Sequence, residues 1–189
     1  VKTRWRIGSG MIINGEVFRG HTGYAGEFSH IPIFDSDILC ECGKRGCLET
    51  EASLLVVAKN ARKKISEGKV AGVHTLLKDM PVKFMIDAVM EAANKGDQFA
   101  IELLSDIGFK IGKGASVLIH INNPELIVLS GRGAKAGKIL IAPIQHGMNQ
   151  YSIPRLAEHT ELKVSDLGYD AELIGAAALV MENFGVIKN

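Results

Sequence analysis

His30-Ile-Pro-Ile-Phe-Asp-Ser-Asp-Ile-Leu-Cys40-Glu-Cys42-Gly-Lys-Arg-Gly-Cys47-Leu-Glu49 holds all three cysteines of the chain and one of its six histidines. Thiolate and imidazole are the donors of a closed, tetrahedral structural zinc site. Gly43 and Gly46 allow the sharp backbone turns that let nearby sulfurs converge on one ion. The spacing therefore predicts a zinc site on His30, Cys40, Cys42 and Cys47. Three cysteines cannot all pair within one chain, and Cys40-x-Cys42 is too short a loop for an easy disulfide. Three free buried thiols are the remaining alternative.

Upstream of this stretch, Met11-Ile12-Ile13 and Glu16-Val17-Phe18 flank Asn14-Gly15, the pattern of a tight hairpin. Gly20 to Gly26 then leads into the cysteine region. Downstream, a helix is expected from Leu54 to Ser66, and Gly68 to Asp79 as a mobile connection. Pro81 opens a helix to about Asn94. Gly96-Asp97 caps a long central helix to about Ile119, with Ala100, Leu103, Leu104, Ile107, Ile111 and Ala115 on one face. Leu126-Ile127-Val128-Leu129, bounded by Pro124 and Gly131, reads as a buried parallel strand. A helix from Lys138 to Gln150, a strand over Leu162–Ser165 and a small-residue helix from Ala171 to Phe184 complete the order. Alternating strands and helices after an opening β segment predict an α/β domain with a mixed sheet.

With 189 residues, 47% hydrophobic and 23% charged, the chain suits one globular domain, residues 1–189. Its 22 basic and 21 acidic residues leave a net charge of +1, so no global field draws nucleic acid or an anionic membrane. There is no signal-like opening and no apolar run of about 18 residues, which predicts a cytoplasmic location. Reduced thiols reserved for a metal agree with that compartment.

Gly26-Glu27-Phe28-Ser29-His30 followed by Cys40-Glu41-Cys42-Gly43-Lys44-Arg45-Gly46-Cys47-Leu48-Glu49 closely resembles the glutamate-x-glycine-histidine and CxCGxxGCxE signatures of the ROK family of bacterial sugar kinases and sugar-responsive repressors. Ile12-Ile13-Asn14-Gly15 and Asn123-Pro124-Glu125-Leu126-Ile127-Val128-Leu129-Ser130-Gly131 extend the likeness. The resemblance implies the C-terminal lobe of an actin-like, ribonuclease-H-like sugar-kinase fold, with the zinc-binding loop at about residues 26–50. It also implies that an N-terminal lobe and any helix-turn-helix lie outside this sequence.

Glu27 and Glu49 each lie within three residues of a proposed ligand. Paired carboxylates accept hydrogen bonds from adjacent sugar hydroxyls. By resemblance Glu27, His30 and Glu49 form a sugar site; the alternative is that the two glutamates are solvated or cap nearby backbone. Relatives that phosphorylate sugars carry a small glycine-threonine-glycine sequence where this chain has Arg4-Trp5-Arg6. Gly131 and Gly133 read as turn residues and as a vestigial nucleotide loop, near arginines able to attract an anion. Trp5 and Arg6 equally suit packing against the absent lobe. His21, His74, His120 and His146 read as polar surface or satisfied core residues.

The expectation is thus a non-enzymatic, sugar-sensing and dimerising domain of a ROK-type transcriptional regulator. It would bind a sugar or phosphosugar, with DNA contacted only through the helix-turn-helix. An ATP-dependent sugar kinase fragment is the first rival, and a zinc-stabilised assembly module without a ligand is the second.

Overall fold

Asn14 and Gly15 adopt φ values of 54° and 83°, the left-handed pair a two-residue hairpin turn requires. They join β1 (Ile12–Ile13) to β2 (Glu16–Val17), which pair antiparallel with Ile12 opposite Val17. The computed structural model describes residues 5–70 and 72–183, so Arg4 and Phe184 lie outside the described residues.

Among the described residues, five helices build the core. The cysteine stretch ends in α1 (Leu48–Ala52), a separate short helix the sequence reading merges into the loop, and α2 spans Leu54–Ser66 as expected. The connection after Gly68 contains a 3-10 turn, Gly72–Leu77, tied down by His74 Nε2 at 2.7 Å from Asp97 Oδ2; Ala71 lies outside the described residues. Next come α3 (Val82–Asn94) and α4 (Gln98–Asn122). Apolar residues of α4 recur at helical spacing, and Ala100, Leu103, Leu104, Ile107, Ala115 and Ile119 are buried, with Ile111 half-buried. Gly112 lets α5 (Gly137–Tyr151) cross α4 at backbone contact, since a Cβ there would lie 2.1 Å from the Ile144 carbonyl oxygen.

Asp97 caps α4 by accepting the Ala100 N–H at 2.9 Å. That hydrogen bond, with His74 adding to it, holds its carboxyl below the usual aspartate range. A depressed folded value means the contribution is fully present above the ordinary aspartate pKa and is lost as pH falls through the lower folded one. Asp97→Ala is expected to cost about 1 kcal/mol at pH 7. The difference should shrink progressively in urea titrations as the pH is taken below the ordinary aspartate value; a cost unchanged across that range would assign it to packing.

After α4 come β3 (Leu126–Leu129), α6 (Pro154–Ala157), β4 (Glu161–Val164) and α7 (Ala171–Asn183). β3 and β4 pair in parallel, Leu126 opposite Glu161 and Leu129 opposite Val164. Antiparallel and parallel pairings are both present, divided between two separate two-stranded sheets among the described residues. The expectation of a fully buried strand at Leu126–Leu129 needs correction: Leu126 is 43% and Val128 49% exposed. Helices cover only the face carrying Ile127 and Leu129, which pack on the core. The α7 residues Leu173, Ile174, Val180 and Met181 are exposed as well. No helix among the described residues is long and apolar enough to cross a membrane.

Candidate functional site

The cysteine loop folds back on itself through backbone hydrogen bonds. Phe34 N–H donates to the Gly46 carbonyl at 3.1 Å, Cys40 N–H to the Lys44 carbonyl at 2.8 Å and Gly43 N–H to the Cys40 carbonyl at 2.9 Å. Gly46 sits at φ 73°, and a Cβ there would lie 2.0 Å from the Phe34 carbonyl oxygen, so only glycine fits. The turn places Cys47 immediately before α1, and His30 closes a 3-10 turn over Phe28–His30.

Four donors converge there. His30, Cys40, Cys42 and Cys47 present ligand atoms that all lie within 4.8 Å of one another. His30 Nδ1 is 3.4 Å from Cys40 Sγ, and the Cys42 and Cys47 sulfurs are 3.6 Å apart. A tetrahedral ion about 2.3 Å from sulfur and about 2.0 Å from nitrogen sets S···S edges near roughly 3.8 Å and S···N edges near roughly 3.5 Å. These two separations are close to such edges, and the donor set could hold a metal ion.

The thiols differ electrostatically. Burial, reinforced by the neighbouring sulfurs, pushes Cys47 up to about 12, while the backbone N–H of Lys44 draws exposed Cys42 down to about 7. A sulfur that costs this much to ionise unassisted is stabilised as thiolate by a cation, and metal binding there releases protons.

The two carboxylates occupy different environments. Glu27 is exposed, with Oε2 3.8 Å from His30 Nε2, the ring nitrogen turned away from the sulfurs. Glu49, in the first turn of α1, is only 8% exposed, and its Oε2 accepts the Ile7 N–H at 2.9 Å. Burial raises its carboxyl above the usual range, partly offset by that N–H. The backbone-capping alternative is thus part of what Glu49 does.

Of the arginines in the two stretches 4–6 and 131–133, Arg4 lies outside the described residues, and Arg6 and Arg132 each have a carboxylate partner. Arg6 is paired with Glu41, and Arg132 forks onto Asp87, Nε to Oδ1 at 3.1 Å and Nη2 to Oδ2. The Arg132 guanidinium carbon also lies 3.7 Å from the Trp5 ring centroid. Gly131, at φ 75°, is a turn residue as read, and Gly131 and Gly133 line a groove of about 1010 Å³ together with Trp5, Arg6 and Gly8–Gly10. Trp5 and Arg6 both have partners within this chain. No spacing rule in the sequence pairs Trp5 with Arg132, or Ile7 with Glu49; only the folded chain brings them together.

A metal-capable knot inserted between a β-hairpin and the helices of an α/β lobe defines the class of this molecule. The chain belongs to the ROK family, whose pattern matches residues 6–183. It is 35% identical over 177 residues to a glucokinase of Halalkalibacterium halodurans, covering 93% of this chain and 53% of that protein. It is also 32% identical over 180 residues to the DNA-binding transcriptional dual regulator NagC of Escherichia coli, covering 95% and 43%.

Among solved structures, a ROK glucokinase from Streptomyces griseus in complex with glucose and AMPPNP matches with a TM-score of 0.81 at 29% identity, over 92% of this chain and 57% of that one. A ROK transcriptional regulator, a homologue of the Escherichia coli MLC protein, matches with a TM-score of 0.74 at 29% identity, over 83% and 38%. The actin-like sugar-kinase fold class is thereby established, and the chain spans about half the length of the curated relatives it matches.

Proposed function

We propose that this chain is the sugar-sensing, dimerising lobe of a ROK-type regulator, with a structural zinc on His30, Cys40, Cys42 and Cys47 and a sugar or phosphosugar held by Glu27, His30 and Glu49. DNA contact would belong to a helix-turn-helix elsewhere in a longer protein. One observation carries the reading: His30 turns Nδ1 to Cys40 Sγ at 3.4 Å and Nε2 to Glu27 at 3.8 Å, so a single ring joins the metal donors to the Glu27 carboxylate. The metal would fix the ring, and the ring with Glu27 and Glu49 would offer a sugar one donor and two acceptors.

Trp5 and Arg132, stacked at the loop that resembles a nucleotide site, favour a sensor over a kinase. The 35% identity to a glucokinase is the observation on the other side. A coupled ATP-turnover assay with glucose, N-acetylglucosamine and xylose is expected to give no sugar-dependent signal. Turnover that survives repurification would establish the kinase reading.

Titration calorimetry with the same sugars on the full-length protein tests the site itself, because the lobe alone is expected to bind a sugar feebly. Glu27→Gln and Glu49→Gln are each expected to weaken binding by roughly ten- to a hundredfold, the loss of a charged acceptor, with zinc content unchanged. Unaltered affinity in both variants would remove these carboxylates from the site and leave an assembly module.

A further inference from the structure

Trp5, Arg6 and Ile7 are consecutive, yet they reach four separate parts of the molecule. The Trp5 ring lies against Arg132, and the Trp5 carbonyl accepts the N–H of Leu54 at the start of α2, at 3.2 Å. Arg6 pairs with Glu41, which stands between the donors Cys40 and Cys42. Ile7 donates its N–H to Glu49. Gly8-Ser9-Gly10 comes next in the chain, anchored where the Ser9 hydroxyl donates to the Gly26 carbonyl at 2.9 Å. Two glycines around a single serine hold their backbone loosely, so the placement of the Ile7 N–H depends largely on how residues 5 and 6 are held.

We propose that Arg132 is a positioning residue for Glu49, acting through the strut Trp5-Arg6-Ile7; this rests on the assignment of Glu49 to the sugar site. Arg132 is buried, with 6% of its side chain exposed, and Asp87 on α3 takes two of its N–H groups. A two-point fork fixes the guanidinium plane as well as its position. The fixed plane is the surface on which Trp5 stacks, an attraction that holds the ring face-on. The line of contacts runs from Asp87 through Arg132 and Trp5 to the Ile7 N–H and the Glu49 carboxylate. A buried acceptor that loses its backbone donor is free to seek another rotamer, and hydroxyl recognition tolerates displacements of only about 0.5 Å. Arg132 acts on Glu49 through Trp5 and Ile7, so its influence on a sugar is indirect.

The test uses Arg132→Ala, Trp5→Ala, Trp5→Phe, Glu49→Gln and the double variant Arg132→Ala/Glu49→Gln. Amide hydrogen exchange at Ile7 in the 189-residue chain needs no sugar. Arg132→Ala and Trp5→Ala are expected to speed it about tenfold or more, and Trp5→Phe, which keeps a ring face, to leave it near wild type. Trp5→Ala leaves the Arg132–Asp87 fork in place and so decides the matter if Arg132→Ala loses its fold. In calorimetry on the full-length protein with glucose, N-acetylglucosamine and xylose, Arg132→Ala should weaken binding about tenfold with zinc retained. The double variant should bind no more weakly than Glu49→Gln alone, because residues acting through one another are non-additive.

Wild-type Ile7 exchange in both alanine variants would overturn the strut. Additive losses in the double variant, or a weakened Glu49→Gln beside an unaffected Arg132→Ala, would overturn the positioning role while sparing the sugar site. An unaffected Glu49→Gln would remove the sugar assignment of Glu49, and the positioning role with it.

Discussion

Cys42→Ser is expected to lower bound zinc from one ion per chain to well under a tenth of that, and to lower Tm by roughly 6–12 °C in a chain of this size. Cys42 is the exposed member of the four donors, so serine leaves the apolar core untouched and the effect reports the donor cluster. The remaining His30, Cys40 and Cys47 make an incomplete set for a tetrahedral structural ion. The loop also has its own hydrogen bonds at Phe34–Gly46 and Cys40–Lys44, so it depends on the metal less than an isolated peptide would. Chelation of the wild type should reproduce the shift, and zinc should reverse it. Metal content and Tm equal to wild type in Cys42→Ser would refute the site.

An equally large loss is expected from one added methyl group where α4 crosses α5. An alanine Cβ at Gly112 would lie 2.1 Å from the Ile144 carbonyl oxygen and 2.9 Å from both Gly147 Cα and Met148 N. All three are backbone atoms, so no side chain can swing aside and the helices must separate. Gly147 is placed reciprocally, its Cβ position 2.3 Å from the Phe109 carbonyl oxygen. Overpacking of this kind costs about 3 kcal/mol, at the upper end of the usual range because backbone must move. Gly133→Ala is the matched control, because nothing lies within 4 Å of its Cβ position and its φ is not positive. Urea denaturation of the two variants should separate them clearly. Equal midpoints would mean that α4 and α5 do not cross at Gly112.

Elements governed by local chemistry are readable from the sequence. Asn14-Gly15 can hardly do anything but turn a hairpin, Asp97 caps α4 through a neighbour three residues away, and the apolar periodicity of α4 spans several turns. The donor cluster is equally legible, because its four residues sit close in sequence and Gly43 and Gly46 announce the turns. Short elements escape such a reading: α1 and α6, of five and four residues, are too brief to show a period. The exposure of β3 is invisible as well, because an apolar run reports a preference for cover without saying whether both faces have it. His74 with Asp97, Trp5 with Arg132 and Ile7 with Glu49 are pairings between distant segments, and no local pattern encodes them.

The orientation of the His30 ring has one more chemical consequence. With a metal on Nδ1, the imidazole is restricted to a single tautomer, and its proton must reside on Nε2. That nitrogen faces Glu27 and is turned from the sulfurs. An ordinary histidine near neutral pH exchanges between two tautomers and a cation, presenting a changing face to any ligand. A ring coordinated through Nδ1 presents one fixed hydrogen-bond donor at Nε2. The donor this ring would offer to a ligand then depends on the metal, which ties the chemistry proposed at this position to the integrity of the sulfur knot.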